Sequence, residues 1–484
     1  MSKALDPRMP VLVGVGTSHD DAEAVELMAL AAEAAARDSG SSSLLGAVDR
    51  IAVPQGTWSY PDPGRLLALR LGAAEALSCF GQLGVPQQTV VSEILRAISS
   101  GACDVGLVVG GEARARARRA EVSGAVAPET TQVGAVPDIV LDREDDFILG
   151  PELAAGLGQP ARQYALIETA LRVAEGQGVD DHRADLSSLW ARFNEVARTN
   201  PDAAFPAPLS AHDLATPSAT NRPMAFPYNK WHVTQWTVDQ AAALVLCSVE
   251  AARAHHVPVD RWIFPLVGID ATHPVSLSRR RHLHRWPAMG VLGRAAAARL
   301  GHPLADLEYQ EIYSCFPSAV RVQQRELGLH PGATPTLTGG MAFAGGPFNN
   351  FVYQSTAAMI PYLRAAPAAR GLVTTVCGLL TKPGLAVWSA TPDGHPPLLS
   401  DLAAEAAAAT PTVEVAGDHH GPATVVTATV TYNGQEPDTT FVVADVGPDR
   451  RCVAAGTDPA LAAAVLSGEL IGAEVAVAGS ALAP

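Results

Sequence analysis

Basic residues, aromatic residues and long uncharged apolar runs are all scarce in this chain of 484 residues. Lysine and arginine total 34 against 49 acidic residues, and the resulting net charge of −15 argues against nucleic acid as a partner. No uncharged apolar run reaches about 18 residues, and the N-terminus has no long apolar core. We therefore expect no membrane span and a soluble, cytoplasmic protein.

Paired cysteine motifs are also missing. The chain has 6 cysteines, scattered without a Cys-x-x-Cys motif or the cysteine and histidine spacing of a zinc site. A disulfide framework and a structural metal are therefore not expected, which fits a reducing compartment. Hydrophobic residues make up 48% and charged residues 17%, so the chain predicts a well-buried globular protein of two or three domains.

The first part of the chain alternates apolar strands with amphipathic helices. Pro10–Gly16 predicts a buried strand, Asp21–Gly40 a helix that ends in glycine, and Val48–Gly56 a second strand. Gln87–Glu112 adds a helix, a short turn and the strand "DVGLVVGG". Because these strands are apolar on both faces, they indicate a largely parallel sheet covered by helices on both sides.

The same pattern restarts in the second half of the chain. Trp262–Asp270 predicts a strand, Pro287–Gly301 a helix, and Leu307–Phe316 a strand followed by a turn. The segments "EAAARDSG" and "RAAAARLG" occupy equivalent places in the two parts and form a weak internal repeat. The predicted fold class is therefore α/β, with two similar halves.

Two further segments complete the predicted organisation. The stretch between the halves is rich in proline and loop-like sequence, and such a long insertion in an α/β protein usually shapes a binding site. Near the C-terminus, Thr424–Gly447 contains two β-rich runs around Asn-Gly, a strong hairpin signal. The predicted units are an N-terminal half (1–114 and 256–262), an insertion (115–255), a C-terminal half (263–395) and a small β domain (408–484).

Four motifs give the two halves a family resemblance. They are "NRPMAFPYNKW" (Asn221–Trp231), "VDQAAALVLCS" (Val238–Ser248), "IYSCFPSAV" (Ile312–Val320) and "GGMAFAGGPFNN" (Gly339–Asn350). With the repeated α/β halves and the insertion, these motifs make residues 9–390 resemble the thiolase superfamily. The resemblance is to mycobacterial-type thiolase-like proteins labelled acetyl-CoA acetyltransferases, which are related to sterol-carrier-protein-type thiolases. It implies the five-layer thiolase fold, and the C-terminal segment is similar to the small OB-like domain that some of these proteins carry.

The resemblance also implies a particular catalytic apparatus. In thiolases, a cysteine at the N-terminus of a buried helix takes the acyl group from acyl-CoA, and the histidine of a Gly-His-Pro motif activates it. A second cysteine moves the α-proton, and a side chain from another loop polarises the thioester oxygen. No cofactor is implied as a requirement, and coenzyme A or acyl-CoA is the expected ligand.

Several of these positions are altered in this chain. The nucleophile position falls on Gly84, and the histidine position falls on Gly346. Tyr313 and Cys315 lie in the loop where thiolases carry the side chain that polarises the thioester. Cys377 is one residue away from the usual place of the second cysteine, a shift that on a strand turns the thiol to the other face. Ordinary thiolase activity is therefore not expected.

Three functions remain compatible with this pattern, and the sequence leaves open whether the chain is an enzyme. The first is acyl-CoA binding in lipid or sterol metabolism, by a protein that retains the thiolase fold and pocket but has lost the transferase activity. The second is retro-aldol cleavage of a β-hydroxyacyl-CoA with Tyr313 as acid or base, unless that residue is a buried structural hydroxyl. The third is residual acyltransferase activity through Cys315 or Cys377.

The pocket residues are predicted from the same motifs. Gly84, Gly345 and Gly346 would let the backbone approach a ligand closely. Asn349 and Asn350 would contact the thioester or the pantetheine amide, or else cap the helix that follows them.

The candidates for binding the CoA phosphates are Lys230, Arg222 and the cluster Arg279–Arg281. Thiolases generally pair through their central sheets, so the resemblance implies a homodimer. The additional C-terminal domain could block that contact, which would leave a monomer.

Overall fold

A computed structural model describes residues 5–142 and 147–483. The helices are α1 (Ala24–Ser39), α2 (Pro63–Arg70), α3 (Gln87–Ser100), α4 (Arg114–Val122), α5 (Gly150–Ala154), α6 (Pro160–Ala174), α7 (Val179–Ala197), α8 (Ala211–Ala215), α9 (Val249–Ala254), α10 (Pro287–Leu300), α11 (Pro317–Leu327), α12 (Phe351–Ala365), α13 (Ala403–Ala409) and α14 (Pro459–Ser467). The strands are β1 (Pro10–Ser18), β2 (Arg50–Pro54), β3 (Leu77–Gly81), β4 (Val105–Ala113), β5 (Ile139–Leu141), β6 (Pro223–Ala225), β7 (Tyr228–Asn229), β8 (Asp239–Ser248), β9 (Phe264–Asp270), β10 (Tyr309–Glu311), β11 (Arg370–Cys377), β12 (Lys382–Ser389), β13 (Glu414–Val415), β14 (His420–Asn433), β15 (Glu436–Gly447), β16 (Arg450–Gly456), β17 (Glu474–Ala478) and β18 (Ala481–Leu482).

The first sheet has the strand order β1-β8-β4-β2-β3-β5. Strands β2, β3, β4 and β5 are parallel to one another, whereas β8 is antiparallel to both β1 and β4. Residues 239–248, which the sequence analysis assigned to the insertion, therefore form a central strand of the N-terminal half. The physical reason is that nine of these ten residues are buried, as a strand between two others requires.

The second sheet has the order β10-β11-β12-β9, with β10 parallel to β11 and the other pairs antiparallel. Helices α3 and α12 lie between the two sheets and contact strands of both. On the outer faces, α1 and α2 cover the first sheet and α10 covers the second. This arrangement gives the five predicted layers and buries the N-terminus of α3 in the middle of the molecule.

The C-terminal segment forms a closed five-stranded barrel. Strands β14, β15 and β16 make an antiparallel meander, β16 runs parallel to β18, and β17 joins β18 back to β14. Helix α14 lies between β16 and β17, so the barrel has the connectivity of an OB-fold. The hairpin predicted at Asn-Gly is confirmed, because Asn433 pairs with Glu436 across that turn.

The insertion packs between this barrel and the main body. Helix α6 lies against β14, where the Thr427 hydroxyl donates to the Leu166 carbonyl at 2.6 Å. At its other end, the insertion contributes β5, which pairs in parallel with β3. The insertion therefore fills the edge of the first sheet beside β3. Among the described residues, no helix combines the length and apolarity needed to cross a membrane.

Candidate functional site

The hairpin between β11 and β12 ends in a left-handed turn. Cys377 and Lys382 face each other in register, and the turn between them includes Gly378, Leu379 and Leu380, with φ of 60°, 61° and 60°. A leucine rarely adopts positive φ, and two in succession are a strained conformation that the surroundings must hold. The strained part of the backbone therefore lies directly between the Cys377 thiol and the Lys382 amine.

Arg280 holds this turn from outside the strands. Its Nη2 donates to the Leu379 carbonyl at 2.6 Å, and its Nε donates to the Val275 carbonyl at 3.1 Å. The Arg280 carbonyl in turn accepts a hydrogen bond from Nη1 of Arg451 in β16. The C-terminal barrel therefore supports the turn through two arginines. Arg280 is 5% exposed, so it does not offer its charge to a CoA phosphate at the surface.

Gly84 meets both side chains at the hairpin end. It lies just before α3, and its carbonyl accepts from Cys377 Sγ at 3.3 Å and from Lys382 Nζ at 3.1 Å. The φ of Gly84 is 104°, a conformation that L-residues avoid. This backbone therefore requires glycine at the position that the resemblance assigns to the nucleophile.

Tyr313 and Cys315 join the same cluster from the loop after β10. The Tyr313 ring packs edge-on against Phe351 with centroids 5.9 Å apart, and the Gln87 side chain lies beside its hydroxyl. The Cys315 thiol lies beside the Tyr164 hydroxyl of α6, so the insertion forms one wall of the site. Tyr313 and Cys377 are half-buried, which leaves both in reach of a ligand.

Burial keeps the acidic groups of this cluster protonated. It raises the pKa of Cys315 to about 12 and that of Cys377 to about 11, although the Lys382 charge opposes the second shift. Burial also raises the pKa of Tyr313 well above its usual range, with Cys315 and Cys377 adding to the effect. Both thiols are therefore poor nucleophiles at neutral pH, and the phenol is a proton donor.

The space that a side chain at Gly346 would need is already filled. A Cβ built there would lie 2.3 Å from Thr234 Cγ2 and 3.1 Å from Met341 Cε. Thr234 is fixed in place, because both its amide nitrogen and its hydroxyl donate to the Cys315 carbonyl. An imidazole at this position would have to displace that packing. The packing around Gly346 therefore leaves no room for the histidine that the resemblance implies at this position.

Replacing Gly346 by alanine is expected to destabilise the fold by about 1–3 kcal/mol, because Thr234 has to move and lose its hydrogen bond. The matched control is Gly46→Ala, where a Cβ would meet nothing within 4 Å and stability is expected to change little. Urea unfolding of the two variants measures the difference. Equal stability would show that the Gly346 site has room to spare.

The other predicted pocket residues are placed as follows. Gly345 has φ of 97°, and a Cβ there would lie 2.4 Å from Gln240 Oε1. The side-chain amide of Asn349 donates to the Gln55 carbonyl at 3.1 Å, so one of its two amide hydrogens is already bonded within the protein. Asn350 occupies the position before α12 without capping it through its side chain, and its buried amide has no partner among the described residues.

Lys230 lies apart from the cluster. Its Nζ lies 4.7 Å from the ring centroid of Trp231, and its carbonyl accepts from Gln235, whose own carbonyl accepts from the Gly346 amide. It remains a candidate for a phosphate contact, and its carbonyl is linked to the glycine-rich loop through Gln235. Among the other basic candidates, Arg281 pairs with Asp449 of the barrel.

Sequence reasoning missed Lys382, the most unusual residue of the site. It is 1% exposed, and among the described residues its ammonium contacts one acceptor, the Gly84 carbonyl. A buried lysine with so few partners is costly to the fold and is characteristic of functional sites. The available signal was its position, as the one charged residue between Arg370 and the end of β12.

Comparisons with known proteins found one family model and several solved structures that are similar to this chain. Residues 402–480 match the family model described as the additional C-terminal domain of thiolase-like protein type 1. The structure of a monomeric SCP2-thiolase-like protein type 1 from Mycobacterium smegmatis is similar over 99% of this chain and 100% of that one, at 27% identity and a TM-score of 0.83. No curated protein matches the chain.

Two more distant structures share the fold. An Ltp2–ChsH2 (DUF35) aldolase covers 79% of this chain and 98% of its own, at 19% identity and a TM-score of 0.59. An acetyl-CoA acetyltransferase from Syntrophomonas wolfei covers 80% and 100%, at 16% identity and a TM-score of 0.58. The matched C-terminal domain and the likeness to the Mycobacterium smegmatis protein identify the chain as a thiolase-like protein of the thiolase superfamily.

Proposed function

We propose that the chain binds an acyl thioester of coenzyme A in the cluster around Gly84 and does not form a cysteine acyl-enzyme. The observation that carries the proposal is Lys382, a buried ammonium that donates to the Gly84 carbonyl and has donors left for one more acceptor. A polarised thioester oxygen is an acceptor of the right kind, and a charged donor binds it more strongly than a neutral one.

Two features support binding without covalent chemistry. The backbone at Gly84 excludes a cysteine side chain, and Thr234 occupies the space of the imidazole at Gly346. The thiols of Cys315 and Cys377 are both protonated at neutral pH because burial raises their pKa values. The acetyl-CoA acetyltransferase that shares this fold indicates the ligand class, since its name states an acyl-CoA.

The test combines a thermal shift with intact mass. Acyl-CoA is expected to raise the melting temperature of the chain, and the protein mass after exposure is expected to stay unchanged. No stabilisation by coenzyme A, acetyl-CoA or longer acyl-CoAs would contradict the binding proposal. A stable acyl adduct on Cys315 or Cys377 would instead support residual acyltransferase activity.

A second candidate, retro-aldol cleavage of a β-hydroxyacyl-CoA, is favoured by Tyr313. Its hydroxyl is protonated, half-buried and close to Cys377. It would give its proton to the α-carbon as the carbon–carbon bond breaks, and the phenolate would take up the proton that the β-hydroxyl loses, which regenerates the phenol and releases the carbonyl product. Lys382 would stabilise the enolate oxygen. The Ltp2–ChsH2 protein of the same fold is an aldolase.

Replacing Tyr313 by phenylalanine is expected to lower the rate of carbonyl release from a β-hydroxyacyl-CoA by about 10²–10⁴-fold, because the group that exchanges both protons with the substrate is lost. Binding of the same thioester is expected to persist in this variant. The control is Tyr362→Phe, since Tyr362 is exposed on the far end of α12. If no carbonyl product forms with the unmodified protein, the lyase candidate is wrong and the binding proposal still stands.

We also infer that the protein is a monomer. Strand β5 of its own insertion occupies the edge beside β3, which leaves that edge unavailable to a second sheet. The Mycobacterium smegmatis protein is likewise described as monomeric. Sedimentation equilibrium at a mass of two chains would contradict this inference.

A further inference from the structure

A small cavity lies beside the strained turn. Its volume is about 20 Å³, and Leu380 and Thr381 of the turn form part of its wall. The remaining wall includes Arg280, Trp286 and His282. A cavity of this size holds one water molecule or one ion of similar radius.

Two buried donors of this wall lack an acceptor. Arg280 uses Nε and Nη2 on the carbonyls of Val275 and Leu379, but its Nη1 has no partner among the described residues. The indole Nε1 of Trp286, a residue 3% exposed, is equally without a partner. An unpaired buried donor destabilises the fold, so two beside one cavity indicate an acceptor inside it.

The charges around the cavity favour an anion over water. Arg280 brings positive charge, His273 and His282 add ring nitrogens, and no acidic residue of the described chain lines the wall. Arg285 also lines the wall, but its charge is paired with that of Glu326. Glu326 accepts from Arg285 Nε at 2.6 Å and from the Trp286 amide at 2.9 Å.

Glu152 lies near Arg280 but accepts hydrogen bonds from other groups. Its Oε1 accepts from the Ser278 amide and hydroxyl, each at 2.7 Å, and its Oε2 accepts from the Leu149 amide at 2.9 Å. The Glu152 charge therefore offsets that of Arg280 from a distance, but neither of its oxygens bonds the guanidinium, and burial lowers the pKa of Arg280 to about 10.

We propose that this cavity binds one halide-sized anion, chloride in a cell, between Arg280 and Trp286. Bound chloride fixes the guanidinium that holds the Leu379 carbonyl. It therefore stabilises the turn that presents Cys377 and Lys382 to the pocket. The lining of this cavity contains none of Gly84, Tyr313, Cys377 and Lys382, so the site is separate from the proposed acyl-CoA pocket and does not depend on it.

The test is thermal unfolding of the full chain in sodium chloride, sodium bromide and sodium gluconate at equal ionic strength. Chloride and bromide are expected to raise the melting temperature by about 2 °C or more relative to gluconate, as expected for an ion that binds only the folded state. Crystals soaked in bromide are expected to show an anomalous peak between Arg280 and Trp286.

Two variants keep the test decisive. Trp286→Phe removes the indole donor and keeps the ring, and it is expected to abolish the halide effect. Trp388→Phe is the matched control, because its buried Nε1 is also unpaired but lies elsewhere, so the halide effect is expected to persist. Equal melting temperatures in all three salts without a bromide peak would mean that the cavity holds water only. A full halide effect in Trp286→Phe would equally overturn the proposal.

Discussion

Replacing Lys382 by methionine is expected to weaken acyl-CoA binding roughly 30-fold, which corresponds to about 2 kcal/mol for a hydrogen bond to a charged donor. The reason is that the thioester oxygen loses the buried ammonium that we propose as its partner. Methionine fills a similar volume without a charge to bury, so the unliganded protein is expected to be as stable as before or more stable. Calorimetric titration gives the affinity, and urea unfolding gives the stability.

The control for this experiment is Thr440→Val in the C-terminal barrel. Thr440 is also fully buried and its hydroxyl oxygen has no partner among the described residues, so the change removes a buried polar group far from the pocket. Its affinity for acyl-CoA is expected to match that of the unmodified protein. An unchanged affinity in Lys382→Met would remove the central contact from the proposed function.

Replacing Glu168 by glutamine is expected to lower the free energy of unfolding by about 3–5 kcal/mol, the usual cost of breaking a buried ion pair from one side. Glu168 is 0% exposed and accepts from His182 Nε2 at 2.9 Å and from the Tyr228 hydroxyl at 2.7 Å. Arg321 of α11 lies 3.3 Å away. This network attaches the insertion to the C-terminal half, so its loss loosens the wall that carries Tyr164.

The pH dependence of this effect has a defined sign. Burial alone would raise the pKa of Glu168, but His182, Arg321 and Tyr228 outweigh it, and the pKa is lowered in the folded state. The contribution of Glu168 is therefore fully present above the ordinary carboxyl pKa of about 4.5 and declines as the pH falls through the lower folded value. The stability gap between the unmodified protein and Glu168→Gln is expected to be constant near neutrality and to shrink below about pH 4.5.

The matched control is Glu175→Gln. Glu175 bonds Arg321 and Arg325 at the rim of the same network, at 2.7 and 2.6 Å, and its side chain is 25% exposed. Because solvent screens such a pair, its loss is expected to cost less than about 1 kcal/mol. If Glu168→Gln costs no more than this control, the buried network does not hold the insertion in place.

Local sequence patterns were sufficient for much of the fold. The glycine that ends α1, the apolar face of α3 and the Asn-Gly turn between β14 and β15 act through neighbours in the chain, and all three were predictable. The place of β8 was not predictable in this way, because a strand joins a sheet through partners more than a hundred residues away.

The candidate site was predictable only in part for the same reason. The resemblance predicted that Gly84, Tyr313 and Cys377 belong to one site, and in the structure these three residues lie close together. The filling of the Gly346 space by Thr234 depends on packing between distant segments, which no motif encodes. Lys382 was overlooked because a lysine at the start of a strand normally reaches solvent, whereas here the Gly84 loop covers it.

The central claim is that Lys382 binds the oxygen of an intact thioester. The ¹³C resonance of a carbonyl-labelled acyl-CoA tests it most directly, in the presence of the unmodified protein and of Lys382→Met. We expect a thioester resonance displaced downfield by the charged donor in the unmodified protein, and a smaller displacement in the variant. A bound resonance at the position of free acyl-CoA, or a new signal from acyl transfer to the protein, would contradict the account.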